Sequence, residues 1–457
     1  MVSSGHVEYA HSLCNGHEMS TLRQLFPRVQ TKTSRVIGTA GAVRAAGIVG
    51  AFFVAMFLAR TLGPEGYGVY SVAVSYLALL LIPGALGMDP LLVREVARIR
   101  AQSAFKEEMA AAFSWWGAVC ALFASSVIAG LAIAIAAVII EDHTFRATLI
   151  IVFASLPMMA FSRTSVAVLR AYRRIVAADI VIRWLPPTLL AIFCGSVYFA
   201  LPNRYGPIAT ALGFLMGATV TALTYLALLH RTLGIRGTVD VPKQDRHKLI
   251  PSIAATVTVS SLWLITLKTD LLMLSAIKGD VLAGKYAVAM QITHLITFVP
   301  VLLSSALGPA IAGYFSAGDR NKVLLTFLRI VGVSGFAALI YTALLWIAGK
   351  NILSLWGPEY VSIAGAMQLL ALSQIINSIG GPGGTVATLI RRQGPMILCL
   401  SVSAISNLVL NAILIPRMGA LGAALSTTIS VFIWNLGIAS VLFRTLKARP
   451  RRHSQCM

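Results

Sequence analysis

Twelve apolar stretches follow one another along this chain, at about 36–58, 67–88, 113–139, 147–168, 176–200, 206–229, 249–273, 282–308, 323–349, 361–388, 394–415 and 420–443. About twenty apolar residues suffice for one helical crossing of a bilayer. Little of the 457 residues is then left for anything but short connections. Lipid offers no partner for backbone N–H and C=O groups, and a helix satisfies its own. The expected fold class is therefore an all-α polytopic membrane protein of about twelve transmembrane helices. Only 12% of the residues are charged, against about 25% in soluble chains.

The formal net charge of +21 would point to nucleic acid in a soluble protein. In a membrane protein the first test is whether the basic residues sort to one side, because cytoplasmic loops keep the excess. With the N-terminus inside, cytoplasmic segments hold 25 of the 37 Lys and Arg residues and the opposite side 6. A missed or spurious helix would have inverted that pattern downstream. Both termini are expected in the cytoplasm, and no nucleic-acid partner is expected. The first 33 residues lack an apolar run followed by a small-residue cleavage site, so no removable signal peptide is expected.

The longest loop is basic, contains Pro242 and divides the spans six and six. The expected organisation is a basic cytoplasmic segment 1–35, a six-helix bundle 36–230, a basic linker 231–248, a second six-helix bundle 249–443 and a basic cytoplasmic tail 444–457. Gly68-Val69-Tyr70 with Pro83 in the second span recurs as Gly284-Lys285-Tyr286 with Pro300 in the eighth. With an even number of spans per half, this is a parallel pseudo-repeat about an axis along the membrane normal, as in alternating-access transporters. The tail from Arg444 to Arg452 is expected to lie against anionic lipid.

Several chemistries are disfavoured. The non-cytoplasmic connections are too short for a soluble catalytic domain, and no G-x-x-x-x-G-K-[S/T] phosphate loop occurs. Five cysteines are scattered without C-x-x-C spacing, and His294 has no second ligand at helical spacing. No enzyme activity, metal or cofactor is expected.

A charge at mid-bilayer is costly unless paired or wet. Arg163 and Arg329 are near enough to a cytoplasmic end to snorkel, and Lys285 is near the opposite interface. Arg183 follows Asp179 by four residues, a spacing for either a structural ion pair or, if unpaired, a ligand contact. Arg44 has no acidic partner in its own span and needs a wet cavity or an anion. In the seventh span Lys268 and Asp270 are two residues apart, so each needs another partner. Ser252, Thr256 and Ser260 form a hydroxyl stripe suited equally to helix packing and to cavity lining. In the tenth span Gly380-Gly381-Pro382-Gly383-Gly384 is expected to break the helix.

Specific strings also resemble a known family. ARTLGPEGYGVYS at 59–71, LGMDPLLVREVAR at 86–98, KTDLLMLSAIKGDVLAGKYAVA at 268–289, LWGPEYVSIAGAMQLLAL at 355–372 and NLVLNAILIPRMGALGAALSTTIS at 407–430 resemble the polysaccharide and O-antigen flippases of the multidrug/oligosaccharidyl-lipid/polysaccharide exporter superfamily. The resemblance implies two six-helix bundles in a V, with the first, second, seventh and eighth helices around a central cavity. It implies a cargo of undecaprenyl-pyrophosphate-linked oligosaccharide in the bacterial plasma membrane, with a polysaccharide polymerase and glycosyltransferases as partners. The family's cationic cavity maps to Arg44 and, more weakly, Lys268, and its acidic position before the seventh-to-eighth loop to Asp270. The cavity set expected here is Arg44, Lys268, Asp270, Arg183, Thr256 and Ser260. Two alternatives stand beside it: a cation- or proton-coupled drug antiporter of the same superfamily, and a non-transporting scaffold of a polysaccharide synthesis complex.

Overall fold

The computed structural model describes residues 27–102, 107–202, 205–234, 243–316, 319–380, 382–389 and 393–447. Residues 1–26, the centre of the linker and the end of the tail, including Arg449, Arg451 and Arg452, lie outside the described residues. In order, the helices are α1 (Pro27–Gly84), α2 (Met88–Gln102), α3 (Glu107–Ile139), α4 (His143–Ala154), α5 (Leu156–Ala171), α6 (Ile175–Ala200), α7 (Pro207–Leu233), α8 (Lys243–Lys278), α9 (Asp280–His294), α10 (Phe298–Ser316), α11 (Arg320–Ser354), α12 (Ala364–Gly380), α13 (Pro382–Leu389), α14 (Gln393–Met418) and α15 (Ala420–Lys447). No strand occurs among the described residues.

Eleven stretches among the described residues are long and apolar enough to cross a membrane. The first, Ala46–Arg100, runs for 55 residues, or about 80 Å at 1.5 Å per residue, far more than one crossing needs. It bends at Gly63, whose φ of 68° and ψ of 177° no L-residue adopts readily. Two of the expected twelve spans therefore lie within this stretch. The pattern repeats between α8 and α9, where Gly279 has φ 87° and ψ 168°.

Each of these bends stands five residues before the glycine of a Gly-x-Tyr triplet, and the two triplets meet. A Cβ on Gly68 would overlap the carbonyl oxygen of Asp280, and one on Gly284 would overlap that of Pro64. Each glycine thus lets the other helix's first turn lie directly on its backbone. Helices before residue 234 pack mainly on one another, as do those after residue 243. The two groups meet chiefly where α1 lies against α8 and α9. There, Tyr67 and Tyr70 share one core with Leu274, Tyr286 and Trp356. Tyr360 Oη also donates to Ala59 O at 2.8 Å.

Two breaks interrupt spans among the described residues. In the eighth, a 3-10 turn at Leu295–Thr297 precedes Pro300. The apolar pattern does not foretell the other, at Ser155 between α4 and α5, where Pro157 occupies the first turn of α5. The break expected at Gly380–Gly384 falls on Gly381, which lies outside the described residues.

α2 falls between the second and third expected spans. Its residues Leu91, Leu92, Val96 and Ile99 are buried, while Arg94 and Arg98 bracket Glu95 at 2.9 and 2.7 Å. The apolar spacing of 92, 96 and 99 is the helical signature that identifies it.

Candidate functional site

Three arginines gather around one buried carboxylate where α1, α5 and α6 meet. Asp179, on α6, is fully buried. Its Oδ2 accepts from Arg44 Nε of α1 at 2.8 Å, and its Oδ1 from Arg170 Nη2 of α5 at 2.8 Å. Hydrogen bonds between ionised groups are about twice as strong as neutral ones. One carboxylate therefore ties three helices together. The expected pairing of Asp179 with Arg183 is not formed, because both carboxylate oxygens are turned toward other helices. Arg44 does gain its anionic partner, from another span.

Arg183 lies beside this pair without entering it. Its Nε is buried and has no hydrogen-bond partner. A Cβ on Gly47 would come within 2.9 Å of Arg183 Cβ, so Gly47 is what allows α1 to close on this part of α6. Three guanidiniums against one carboxylate leave two net positive charges.

Two adjoining cavities share Arg163 and Arg183 in their walls. One, of about 670 Å3, is polar and reaches Asp89, Arg94 and Arg170. The other, of about 430 Å3, runs between α1, α5, α6 and α7 along apolar residues such as Val54, Pro186 and Phe214, up to Tyr67 and Tyr70. Arg163, expected near enough to a cytoplasmic end to snorkel, is exposed and donates from Nε to Asp89 Oδ2 at 2.9 Å. A cationic mouth thus leads into an apolar slot, a shape suited to an amphipathic anion.

Lys268, half-buried, lines a third cavity of about 320 Å3 together with Tyr67, Tyr70 and His294. Asp270 does not line any of these three cavities. Its Oδ2 accepts from Tyr286 Oη at 2.9 Å and from Thr427 Oγ1 at 3.0 Å, and its Oδ1 from Leu271 N at 2.8 Å. It is a buried junction of α8, α9 and α15, as its solitary acidic character in an apolar span required. Ser260 is half-buried on α8 and lines none of the three cavities, while the side chains of Ser252 and Thr256 lie outside the described residues. Residues absent from the expected set are Arg163, Arg170 and the tyrosine pair. Arg170 sits at a span's end, where sequence alone reads it as an interface anchor.

The helix count, the bends and the buried ionic junction define a multi-pass α-helical membrane protein. Its fold matches a MOP superfamily transporter from Pyrococcus furiosus, whose binding pocket is described as having reverse polarity. That match has a TM-score of 0.67 and 14% identity over 91% of this chain and 97% of that one. The model for the family described as polysaccharide biosynthesis protein matches residues 43–315, more than half of the chain, and the chain belongs to that family. A MatE model matches residues 251–416. The probable flippase AglR of Haloferax volcanii is 25% identical over 195 residues, 40% of this chain and 39% of that one. The probable multidrug resistance protein NorM of Idiomarina loihiensis is 25% identical over 254 residues, 52% of each. The chain thus spans about two fifths to one half of the length of these curated relatives.

Proposed function

We propose that this protein is a flippase that carries a polyprenyl-pyrophosphate-linked oligosaccharide, with undecaprenyl as the lipid, across the bacterial plasma membrane by alternating access. The cargo serves O-antigen, exopolysaccharide or capsule synthesis, and both termini are cytoplasmic. The observation that carries this is the arginine cluster: Arg44, Arg170 and Arg183 around the single carboxylate of Asp179, with the Arg183 Nε unused. A pyrophosphate brings about two negative charges, and guanidinium forks match phosphate oxygens two at a time. The likeness to a protein described as a flippase supports the same reading. In this proposal Arg44 is an organiser of the cluster, and Arg183 and Arg163 face the cargo. The divisions 1–35, 36–230, 231–248, 249–443 and 444–457 are those of a two-bundle transporter with anionic lipid at its tail.

In the same proposal the Gly68–Gly284 contact closes the outer face. Arg94 and Arg163 line a cavity toward the cytoplasmic helix α2, where cargo is made by glycosyltransferases and whence it passes to a polymerase. Moving two negative charges outward is favoured by roughly 4–5 kcal/mol per 100 mV of inside-negative potential, so electrostatics demands no separate fuel.

The antiporter alternative draws on the likeness to NorM and to the transporter fold. It needs a free deep carboxylate for a cation, whereas Asp179 and Asp270 are both fully engaged. A scaffold would not need Arg183 at all. The test is Arg183→Ala, with folded protein in the membrane measured alongside lipid-linked oligosaccharide retained in the inner leaflet. Retention at normal abundance supports transport through the cluster. Undiminished export overturns it.

A further inference from the structure

Tyr67 and Tyr70 each line two cavities: the one of about 430 Å3 that starts at Arg163 and Arg183, and the one of about 320 Å3 that holds Lys268 and His294. The two rings are therefore a wall between the cavities. It is fastened across the halves, since Tyr67 Oη donates to Gln291 Oε1 at 3.1 Å and Gln291 Nε2 donates to Phe52 O at 3.2 Å.

The two sides of the wall differ in chemistry. The arginine side is an apolar slot with guanidiniums at its mouth. The far side offers Ser71, the Gln291 amide, the His294 imidazole and the aromatic faces of the tyrosines. Lys268 is the one lining residue there with a full charge, and no carboxylate lines that cavity. Asp270, two residues along α8, is spent on Leu271, Tyr286 and Thr427. Among the described residues no hydrogen bond or ion pair holds the Lys268 ammonium. A charge set so far into a membrane protein needs water or an anion.

We infer that this cavity is a second anion subsite, taking the carboxylate of an acidic sugar in the cargo's glycan while the arginine cluster takes the pyrophosphate. The inference rests on the flippase reading for the identity of the cargo. Two phosphates joined by one oxygen cannot lie on opposite sides of a wall one aromatic ring thick, so the second anion belongs further along the cargo, in its sugars. The donor set agrees. Lysine presents a point charge without the planar fork that suits phosphate, and amide, hydroxyl and aromatic faces together suit a hydroxylated ring with one acidic group. A volume near 320 Å3 is at the small end of ligand pockets, enough for one part of the cargo.

The experiment is equilibrium dialysis of the full-length detergent-purified protein against three free radiolabelled trisaccharides, ending in glucuronic acid, glucose or glucose 6-phosphate. The glucuronate form should bind at least about tenfold tighter than the glucose form. Lys268→Gln should collapse that ratio toward one, and Lys268→Arg should restore most of it. Equal binding of acidic and neutral trisaccharides to the unaltered protein overturns the subsite, whether or not the Lys268 variants fold. An unchanged ratio in folded Lys268→Gln also overturns it. Tighter binding of the phosphorylated sugar overturns the choice of carboxylate. If the ratio holds while vesicles containing the protein fail to translocate lipid-linked trisaccharide, the flippase reading falls and the subsite stands.

Discussion

Asp179 accepts a 2.8 Å hydrogen bond from Arg44, 135 residues away in the chain, and none from Arg183 one turn along its own helix. The consequence is that charge is removed from the cluster at very different cost depending on which member is changed. Asp179→Asn leaves Arg44 and Arg170 facing each other without their shared anion. Breaking a buried pair in this way costs about 3–5 kcal/mol. Thermal denaturation in detergent should show a large loss for Asp179→Asn and a smaller one when Arg44→Met is added to it. Additive losses would mean the two residues are not coupled.

Arg183 should behave in the opposite way. With its Nε unbonded, Arg183→Ala should change the melting temperature little yet block export. Arg183→Lys should recover only part of it, because a point charge replaces a fork. Paired measurements of membrane abundance and cargo retention check this, and full recovery by lysine would remove the bidentate argument.

Asp270 should be needed for folding. Hydrogen bonds to charged groups contribute about 1.5–3 kcal/mol each. Tyr286→Phe and Thr427→Val should each destabilise by roughly that amount, and Asp270→Ala by more, without altering cargo preference in whatever folded protein remains. A changed preference at normal stability would give Asp270 a place in the transport path.

Gly68→Ala and Gly284→Ala should act alike, since each methyl meets a carbonyl of the opposite helix. Overpacking of this kind costs about 1–3 kcal/mol, and here the two backbones must separate to relieve it. Cysteine at Ser71, below the contact, should become reactive to an impermeant thiol reagent from outside in either variant and stay protected without them. Labelling limited to one variant would show that the contact is not shared equally.

Topology is open to the same reagent. Single cysteines at Lys278 and Met418 should react from outside the cell, and ones at Gln102 and Arg320 should not. Reaction at Gln102 would reverse the orientation derived from the basic residues.

The spans were legible because hydropathy is a local property: every long apolar run lies in helix among the described residues. Gly63, in the gap between the runs at 36–58 and 67–88, turns the chain at positive φ between those two spans, so this boundary too followed from hydropathy. α2 was legible in principle, through Leu92, Val96 and Ile99, but lies outside the twelve apolar runs. The site was less legible still. The spacing of Asp179 and Arg183 was right for a pair within one helix, yet the position of Arg44 on a neighbouring helix decided the partner. Sequence spacing reports on one helix at a time, and a carboxylate shared by three helices is a property of packing.

The Gly68–Gly284 contact has a reciprocal form: the turn that carries the first glycine seats the second, and the turn that carries the second seats the first. Such exchange is the mark of an isologous interface, which ordinarily joins two identical subunits. A true homodimer would be bound to repeat on one flank of that seam whatever it placed on the other. Because a single polypeptide supplies both sides here, the residues around like glycines have diverged, with Val69 answering to Lys285. Guanidiniums could accumulate beside α6 while a lone ammonium took its place on α8. One covalent chain keeps the symmetry of this contact and leaves the lining free of it.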